Sequence, residues 1–415
     1  MQADVLVLGA GIVGVSVALN LALRGRSVLL VDRRGPGEET SFGNAGLIQR
    51  EGVVPYGFPQ DLPTILRHGR NRSTDSAYHP RALPGLAPFL GRYWWHSRLS
   101  SHRRIQRLYE PLIRHSLAEH GVLIDKAGAG DLIRKDGWIK AFRTAPALEA
   151  ALREAERIKA EFGVNHAPLD GAGLAAREPD LALPLAGAVH WTDPWTIADP
   201  HALVAAYVRL LEASGGRFLK GDAATLAPAG AGWRVETAEG TAEAGAAVIA
   251  LGPWADVATR KLGYRLPLAV KRGYHMHYEA QPGKRLNNWL MDAEVGYMLA
   301  PMRQGIRITT GAEFAQRDAP QTPVQLERVE RIARQLAPLG ERIDPQPWMG
   351  ARPCTPDMMP IIGPAPRHKG LWFAFGHAHH GMTLGPATGR LVAEMMLGES
   401  PYIDPAPYAA TRFRA

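Results

Sequence analysis

Three histidines fall within four positions of "GHAHHGMTLGPATG" (376–389). Imidazoles placed so closely invite a metal ion, and a metal would bring Lewis-acid chemistry. Ligands must converge on one point, however. His377, His379 and His380 are too close in sequence to do so unaided, and no cysteine or carboxylate stands beside them. No metal is expected. The segment reads instead as a glycine-rich loop running into a helix. Pro386 suits the first turn, Leu391, Val392, Met395 and Met396 form an apolar stripe, and Gly398 ends it.

A second glycine-rich loop lies near the amino terminus, in "ADVLVLGAGIVGVSVALNLALRGRSVLLVDRR" (3–34). A β-branched run enters the turn Gly9-Ala10-Gly11-Ile12-Val13-Gly14, a small-residue helix follows to Gly25, and a second strand ends in Asp32. This is the complete order of a dinucleotide-binding βαβ unit. Gly9 permits the turn, Gly11 lets the backbone approach a pyrophosphate, and Gly14 lets helix pack on strand. Free N–H groups of the helix N-terminus face the phosphate charge, and Asp32 is placed for the ribose hydroxyls. Arg33 and Arg34 follow directly, but Asp32 would repel a 2′-phosphate, which argues against NADP.

The elements that must position these loops fit a chain of 415 residues, long enough for two domains. A helical pattern at 147–162 precedes a helix opened by Pro200 and closed by Gly215-Gly216. The strand "AAVIALGPWA" (246–255) brings Gly252 to a turn. From 266 the pattern shortens to alternating runs: in "RGYHMHYEA" Tyr274, Met276 and Tyr278 face one side, His275 and His277 the other. "GYMLAP" and "GIRITTGAEF" follow, separated by the turn-like "MRQG", as antiparallel strands.

Composition narrows the class. The single cysteine, Cys354, forbids an internal disulfide and fits a reducing compartment. The apolar stretch 5–23 is broken by glycines and preceded by Asp4, so it reads as strand, turn and helix rather than as an export signal, and a cytoplasmic location is expected. Between Arg67 and His115 stand ten arginines against Asp75 and Glu110, interleaved with Trp94 and Trp95. No nucleic-acid-binding motif accompanies that charge. A solvated arginine-rich face accounts for it, and peripheral contact with an anionic membrane at its inner face suits the tryptophans.

"ETSFGNAGLI" (39–48) directly after the second strand supplies amides and hydroxyls fit for a ribityl chain and pyrophosphate: Thr40, Ser41, Asn44, Ala45, Gly46 and Leu47. With "DGWIKAFRT" (136–144), "TTGAEFA" (309–315) and "GARPCTPDMMPIIG" (350–363), the chain resembles, over essentially its whole length, the glycine oxidase/D-amino-acid oxidase superfamily of FAD proteins. Within it the likeness is to D-amino-acid dehydrogenases. The resemblance implies an α/β fold, with a Rossmann-like FAD-binding domain (1–55, 196–265 and 345–415) and an inserted, mainly antiparallel β-sheet substrate or cap domain (56–195 and 266–344). It implies FAD as cofactor, held without a covalent bond, because Cys354 is not where flavin-linking relatives have their cysteine. His380, Gly381, Met382 and Thr383 would then wrap the pyrimidine end, and backbone N–H groups there would stabilise charge developing at N1–C2=O.

Oxidising an amino acid at Cα requires a rigidly held carboxylate and a neutral amine. Arginine suits the first task, and the resemblance assigns it to Arg352, with Tyr297 and Tyr274 as companions. His379 is carried as the histidine that would assist amine deprotonation. The implied reaction is hydride transfer from a D-amino acid to FAD, with electrons passed on to a quinone or other acceptor. A cyclic D-proline derivative is an open option for the substrate. An oxygen-using oxidase and the FAD subunit of a larger electron-transfer complex are the alternatives.

Overall fold

The computed structural model describes residues 1–413. Its organising element is a seven-stranded sheet. Four parallel strands, Val28–Asp32, Gln2–Leu8, Gly240–Ile249 and Leu371–Phe375, lie side by side, and the beginning of Arg217–Ala229 extends them. The registers Leu8 with Val31, Leu8 with Ile249, and Ile249 with Phe373 bring the strands' carboxyl ends to one edge. Gly9, Asp32, the Ala250–Gly252 turn and His377 therefore meet there, although they are spread over most of the sequence. This is the crevice in which open α/β sheets hold ligands. The strands are nearly all apolar because helices cover the sheet.

One face is covered by the first helix, Ile12–Ala22, packed on the carboxyl-terminal helix Gly381–Leu397. Two glycines set their separation. A Cβ at Gly389 would stand 2.4 Å from the Ser16 carbonyl oxygen, and one at Gly385 2.8 Å from Ile12. The helix begins at Gly381, five residues before Pro386, so the proline sits inside it rather than in its first turn. A proline donates no N–H to the carbonyl of residue i−4. That orphan, Met382 O, accepts a 2.7 Å hydrogen bond from Nε2 of the buried His120. Burial brings His120 down to about 4, so the ring is neutral, and its Nδ1 accepts from the Tyr207 hydroxyl at 3.1 Å. A partner distant in sequence makes the early start possible.

The second sheet has eleven strands and is mostly antiparallel. Its long central strand, Ala269–Ala280, pairs with Gly305–Thr309 on one side and with Trp348–Cys354 along its first half. Tyr297–Met302, Leu290–Asp292 and Trp138–Phe142 continue outward. The roof thus takes in one strand, Trp348–Cys354, from beyond residue 344. Tyr274, Met276 and Tyr278 enter a core beneath the helix Val324–Leu336, and His275 and His277 lie on the opposite face, as the alternation requires. Among the described residues, no helix is long and apolar enough to cross a membrane.

Candidate active site

A cavity of about 930 Å³ runs from the edge of the first sheet to the underside of the second. At its nucleotide end the glycine turn is fixed by sterics. Gly9 has φ +107°, and a Cβ there would meet the Ala250 carbonyl oxygen at 2.5 Å. A Cβ at Gly14 would lie 1.8 Å from the Gly9 oxygen. Neither position tolerates a side chain, so the backbone itself forms the wall. The Ala10 N–H donates to Asp32 Oδ2 at 2.7 Å and the Ile12 N–H to Ser41 Oγ at 3.0 Å, which ties turn, acid and following loop into one unit.

Of the residues singled out from sequence for the cofactor, Gly9, Gly11, Ile12, Val13, Asp32 and Arg33 line this end. Thr40, Ser41, Asn44, Ala45 and Leu47 line the middle, with Gly252, Gly381 and Met382. Arg33 lies 4.5 Å over the Trp254 ring, and the exposed Arg34 pairs with Glu39 at 3.2 Å, outside the cavity wall. Ala10 and Gly14 stand behind the turn, and Gly46 makes a left-handed bend (φ +73°) against the Ile197 carbonyl. Thr383 also stands off the wall: its Oγ1 accepts from the Gln49 N–H at 3.1 Å and faces the Leu47 carbonyl. The Thr40 hydroxyl donates to the Ala351 carbonyl at 2.8 Å and so links this loop to the strand that carries Arg352.

At the other end Arg352 lies across the roof strand. Nη1 donates to the carbonyls of Gly311 (2.8 Å) and Arg272 (3.3 Å), and Nη2 to that of Thr310 (3.1 Å). Gly273 makes room, since a Cβ there would stand 2.6 Å from Nη2. Burial pulls the guanidinium down from its ordinary range, and among the described residues no carboxylate pairs with it. A buried cation satisfied only by carbonyls is ready for an anion.

The two tyrosines expected beside Arg352 both line the cavity, Tyr274 with its hydroxyl engaged and Tyr297 with its hydroxyl unpartnered. The Tyr274 hydroxyl donates to Glu313 Oε2 (3.0 Å) and accepts from Arg272 Nη2 (3.2 Å) and the Thr322 N–H (2.8 Å). It shares its face of the strand with Arg272, whereas Lys271 and Gly273 lie on the face that Arg352 occupies. The Tyr297 hydroxyl is buried next to the Arg143–Asp292 ion pair. A third tyrosine of the cavity, Tyr56, which sequence reasoning did not single out, is within electrostatic range of Arg352. Half of its surface is accessible, it lines the cavity, and its ring lies 4.7 Å from that of His379.

His379 also lines the cavity, but burial, Arg352 and Lys271 push its pKa well below the usual histidine range, so it is uncharged rather than poised near neutrality. His380 points the other way, with Nδ1 2.9 Å from the Tyr109 hydroxyl, and burial brings it down to about 4. His377 bonds Thr388 Oγ1 at 2.9 Å. The three rings diverge. The one trio of potential metal ligands among the described residues lies elsewhere, at His275, His277 and Asp344. Both His277 nitrogens are engaged there, Nδ1 to Asp344 (2.7 Å) and Nε2 to Arg307 (2.8 Å), and the guanidinium would repel a cation.

Comparison with known proteins adds identity to this geometry. The family of FAD-dependent oxidoreductases known as DAO matches residues 4–395. A protein of Bradyrhizobium diazoefficiens named D-amino-acid oxidase is 31% identical over 99% of this chain and 98% of its own length. One from Granulibacter bethesdensis named D-amino acid dehydrogenase is 30% identical over 99% of each. Among solved structures, glycine oxidase from Geobacillus kaustophilus superposes with a TM-score of 0.74, 23% identity and 99% coverage of both chains, a likeness of fold.

Proposed function

This chain belongs to the DAO family of FAD-dependent oxidoreductases, and from that premise we propose that it oxidises a D-amino acid at Cα, with Arg352 holding the carboxylate. The residues present fit the cofactor. The Gly9–Gly14 turn is pressed so closely on Ala250 and on itself that Gly9 and Gly14 offer the cavity bare backbone, and Asp32 stands at the strand end for a ribose. The amino-terminal turn of the helix from Gly381 opens on the same cavity. Bound FAD supplies the two-electron acceptor that takes the Cα hydride. The substrate amine becomes an imine, which water converts to the 2-oxo acid.

The single observation that carries the assignment is Arg352, a buried guanidinium with carbonyl partners and no acid. A planar fork grips a carboxylate with two charge-assisted bonds and fixes the orientation of Cα. Tyr56, within electrostatic range of it, lines the same cavity. His379, held neutral, serves as a hydrogen-bond acceptor that orients the amine rather than as a store for its proton. The cap and cofactor division read from sequence, 56–195 and 266–344 against the remainder, is retained as part of this proposal, with the roof extended to Cys354 by its strand pairing.

The test is anaerobic bleaching of the flavin band by a panel of D- and L-amino acids, D-proline included. Bleaching by D-acids and not by their enantiomers is expected; a flavin that no amino acid bleaches overturns the reading. Gly273→Ala should raise KM about tenfold, roughly 1.4 kcal/mol, with flavin content unchanged, because its methyl group displaces only the Arg352 fork. Steady-state kinetics beside an absorbance ratio checks this.

For the electron acceptor, a membrane quinone is favoured over oxygen by the outer face of the cavity mouth. Helices Leu62–Gly69 and Leu83–His96 line it with Ile65, Leu83 and Leu90, and turn outward Leu62, Leu66, Trp94 and Trp95. Arg67, Arg92 and Arg98 accompany them, with Arg98 stacked 4.3 Å over Trp95. Apolar anchors ringed by arginine suit an anionic bilayer. Flotation with phosphatidylglycerol vesicles should carry the wild type upward at low salt and leave Trp94→Ser/Trp95→Ser behind. Peroxide formation in air matching the anaerobic reduction rate would instead make oxygen the acceptor.

A further inference from the structure

Resting on the reading above, we propose that the preferred substrate carries two carboxylates, the first held by Arg352 and the second by Lys271. Lys271 occupies the position directly opposite Arg352 in the antiparallel pair, so both side chains leave the same face of the sheet and both line the cavity. It is 3% exposed, and its ammonium lies 3.9 Å from the centre of the Tyr93 ring, 5.6 Å from that of Phe314 and 4.0 Å from the Met358 sulfur. Aromatic faces favour the charged form. Among the described residues no carboxylate comes within ion-pair distance of it.

Asp357, next in sequence to Met358, is taken by Arg412, and Asp75 at the cavity wall by Arg67. The neighbouring strand presents Arg352 and Cys354, and burial pushes the thiol up and keeps it uncharged. The helix Leu83–His96 presents Tyr93, and the loop after the strand Leu371–Phe375 presents His379, which is neutral. The acid that acts on Tyr56 is Glu51. Burial raises it to about 7, and its Oε1 is taken by Gln49 and Trp138, each at 2.8 Å. Two cations, Lys271 and Arg352, therefore line the cavity without an ion-pair partner among the described residues. An amino acid with a neutral side chain, its amine deprotonated for reaction, answers only one of them. A second carboxylate answers the other, on the side chain as in D-aspartate and D-glutamate, or on the nitrogen as in iminodiacetate.

The experiment sets each acid against its uncharged counterpart: D-glutamate against D-glutamine, D-aspartate against D-asparagine, iminodiacetate against sarcosine. Apparent affinity and anaerobic reduction rate are read for wild type, Lys271→Met and Lys271→Gln, each checked for flavin content. At pH 7 the wild type should favour the acid at least about tenfold, and both variants should bring the ratio near unity. Burial and Arg352 lower Lys271 to about 8. The wild-type preference should therefore fade as the pH rises through that value. Side-chain acids ahead of iminodiacetate place the second carboxylate on the side chain, and the reverse order places it on nitrogen. Uncharged counterparts that reduce the flavin as well as the acids overturn this proposal and leave the D-amino-acid reading standing. Should no amino acid bleach the flavin, that reading falls, and thermal shifts with succinate against succinamate decide the carboxylate pair: preference for succinate upholds it, and equal shifts overturn it.

Discussion

Arg352→Met is expected to lower kcat/KM about a thousandfold while the protein stays yellow. Two charge-assisted hydrogen bonds to a carboxylate in a water-poor cavity contribute roughly 3–5 kcal/mol together. Methionine supplies neither. The loss should fall on both kcat and KM, since a substrate no longer oriented reacts poorly even when bound. Arg352→Lys keeps a charge but not the planar fork, and should recover no more than about one order of magnitude. Flavin content should hold, because Arg352 bonds to the carbonyls of Arg272, Thr310 and Gly311 at the roof and to nothing at the glycine turn. Rapid reduction kinetics on the two variants, beside their absorbance ratios, is the check. Wild-type rates in Arg352→Met would place the carboxylate elsewhere.

The opposite pattern is expected at the glycine turn. Gly14→Ala should yield protein without flavin and with reduced thermal stability, because its Cβ would sit 1.8 Å from the Gly9 oxygen and 2.9 Å from the Gly9 carbonyl carbon. A backbone group cannot swing aside as a side-chain tip does. Relief requires moving the first helix away from the first strand, at a cost of about 3 kcal/mol or more. Gly91→Ala is the matched control. It lies in the helix Leu83–His96 with nothing within 4 Å of its would-be Cβ, and should be neutral or stabilising by about 0.5–1 kcal/mol. Flavin absorbance and the melting temperature of both variants test the contrast. A yellow Gly14→Ala protein as stable as wild type would show that the helix has slack that the packing denies it.

The nucleotide end was legible because its requirements are local. A turn with φ +107° and a helix pressed onto a carbonyl admit only glycine, and the spacing of Gly9, Gly11 and Gly14 records that directly. The substrate end was less so, although strand parity carried part of it. With Tyr274 and Met276 on one face and His275 and His277 on the other, the same count sends Lys271 toward the histidine face and Tyr274 away from it. Tyr56 gave no such sign. It stands in a loop without periodicity, and only the fold brings it within electrostatic range of Arg352. The start of the last helix was hidden for the same kind of reason, since His120, which satisfies the carbonyl orphaned by Pro386, is contributed by a remote helix.

The glycine contacts between Ile12–Ala22 and Gly381–Leu397 have a kinetic consequence. The first helix emerges from the ribosome long before its partner, which lies roughly 360 residues further along the chain, and synthesis runs at about 5–20 residues per second. For tens of seconds the apolar flank of the nascent nucleotide unit faces water. The cofactor crevice cannot close until Gly385 and Gly389 are released to seat on Ile12 and Ser16. Capture of FAD is therefore tied to synthesis of that later helix, and the waiting intermediate is the species on which chaperones would act.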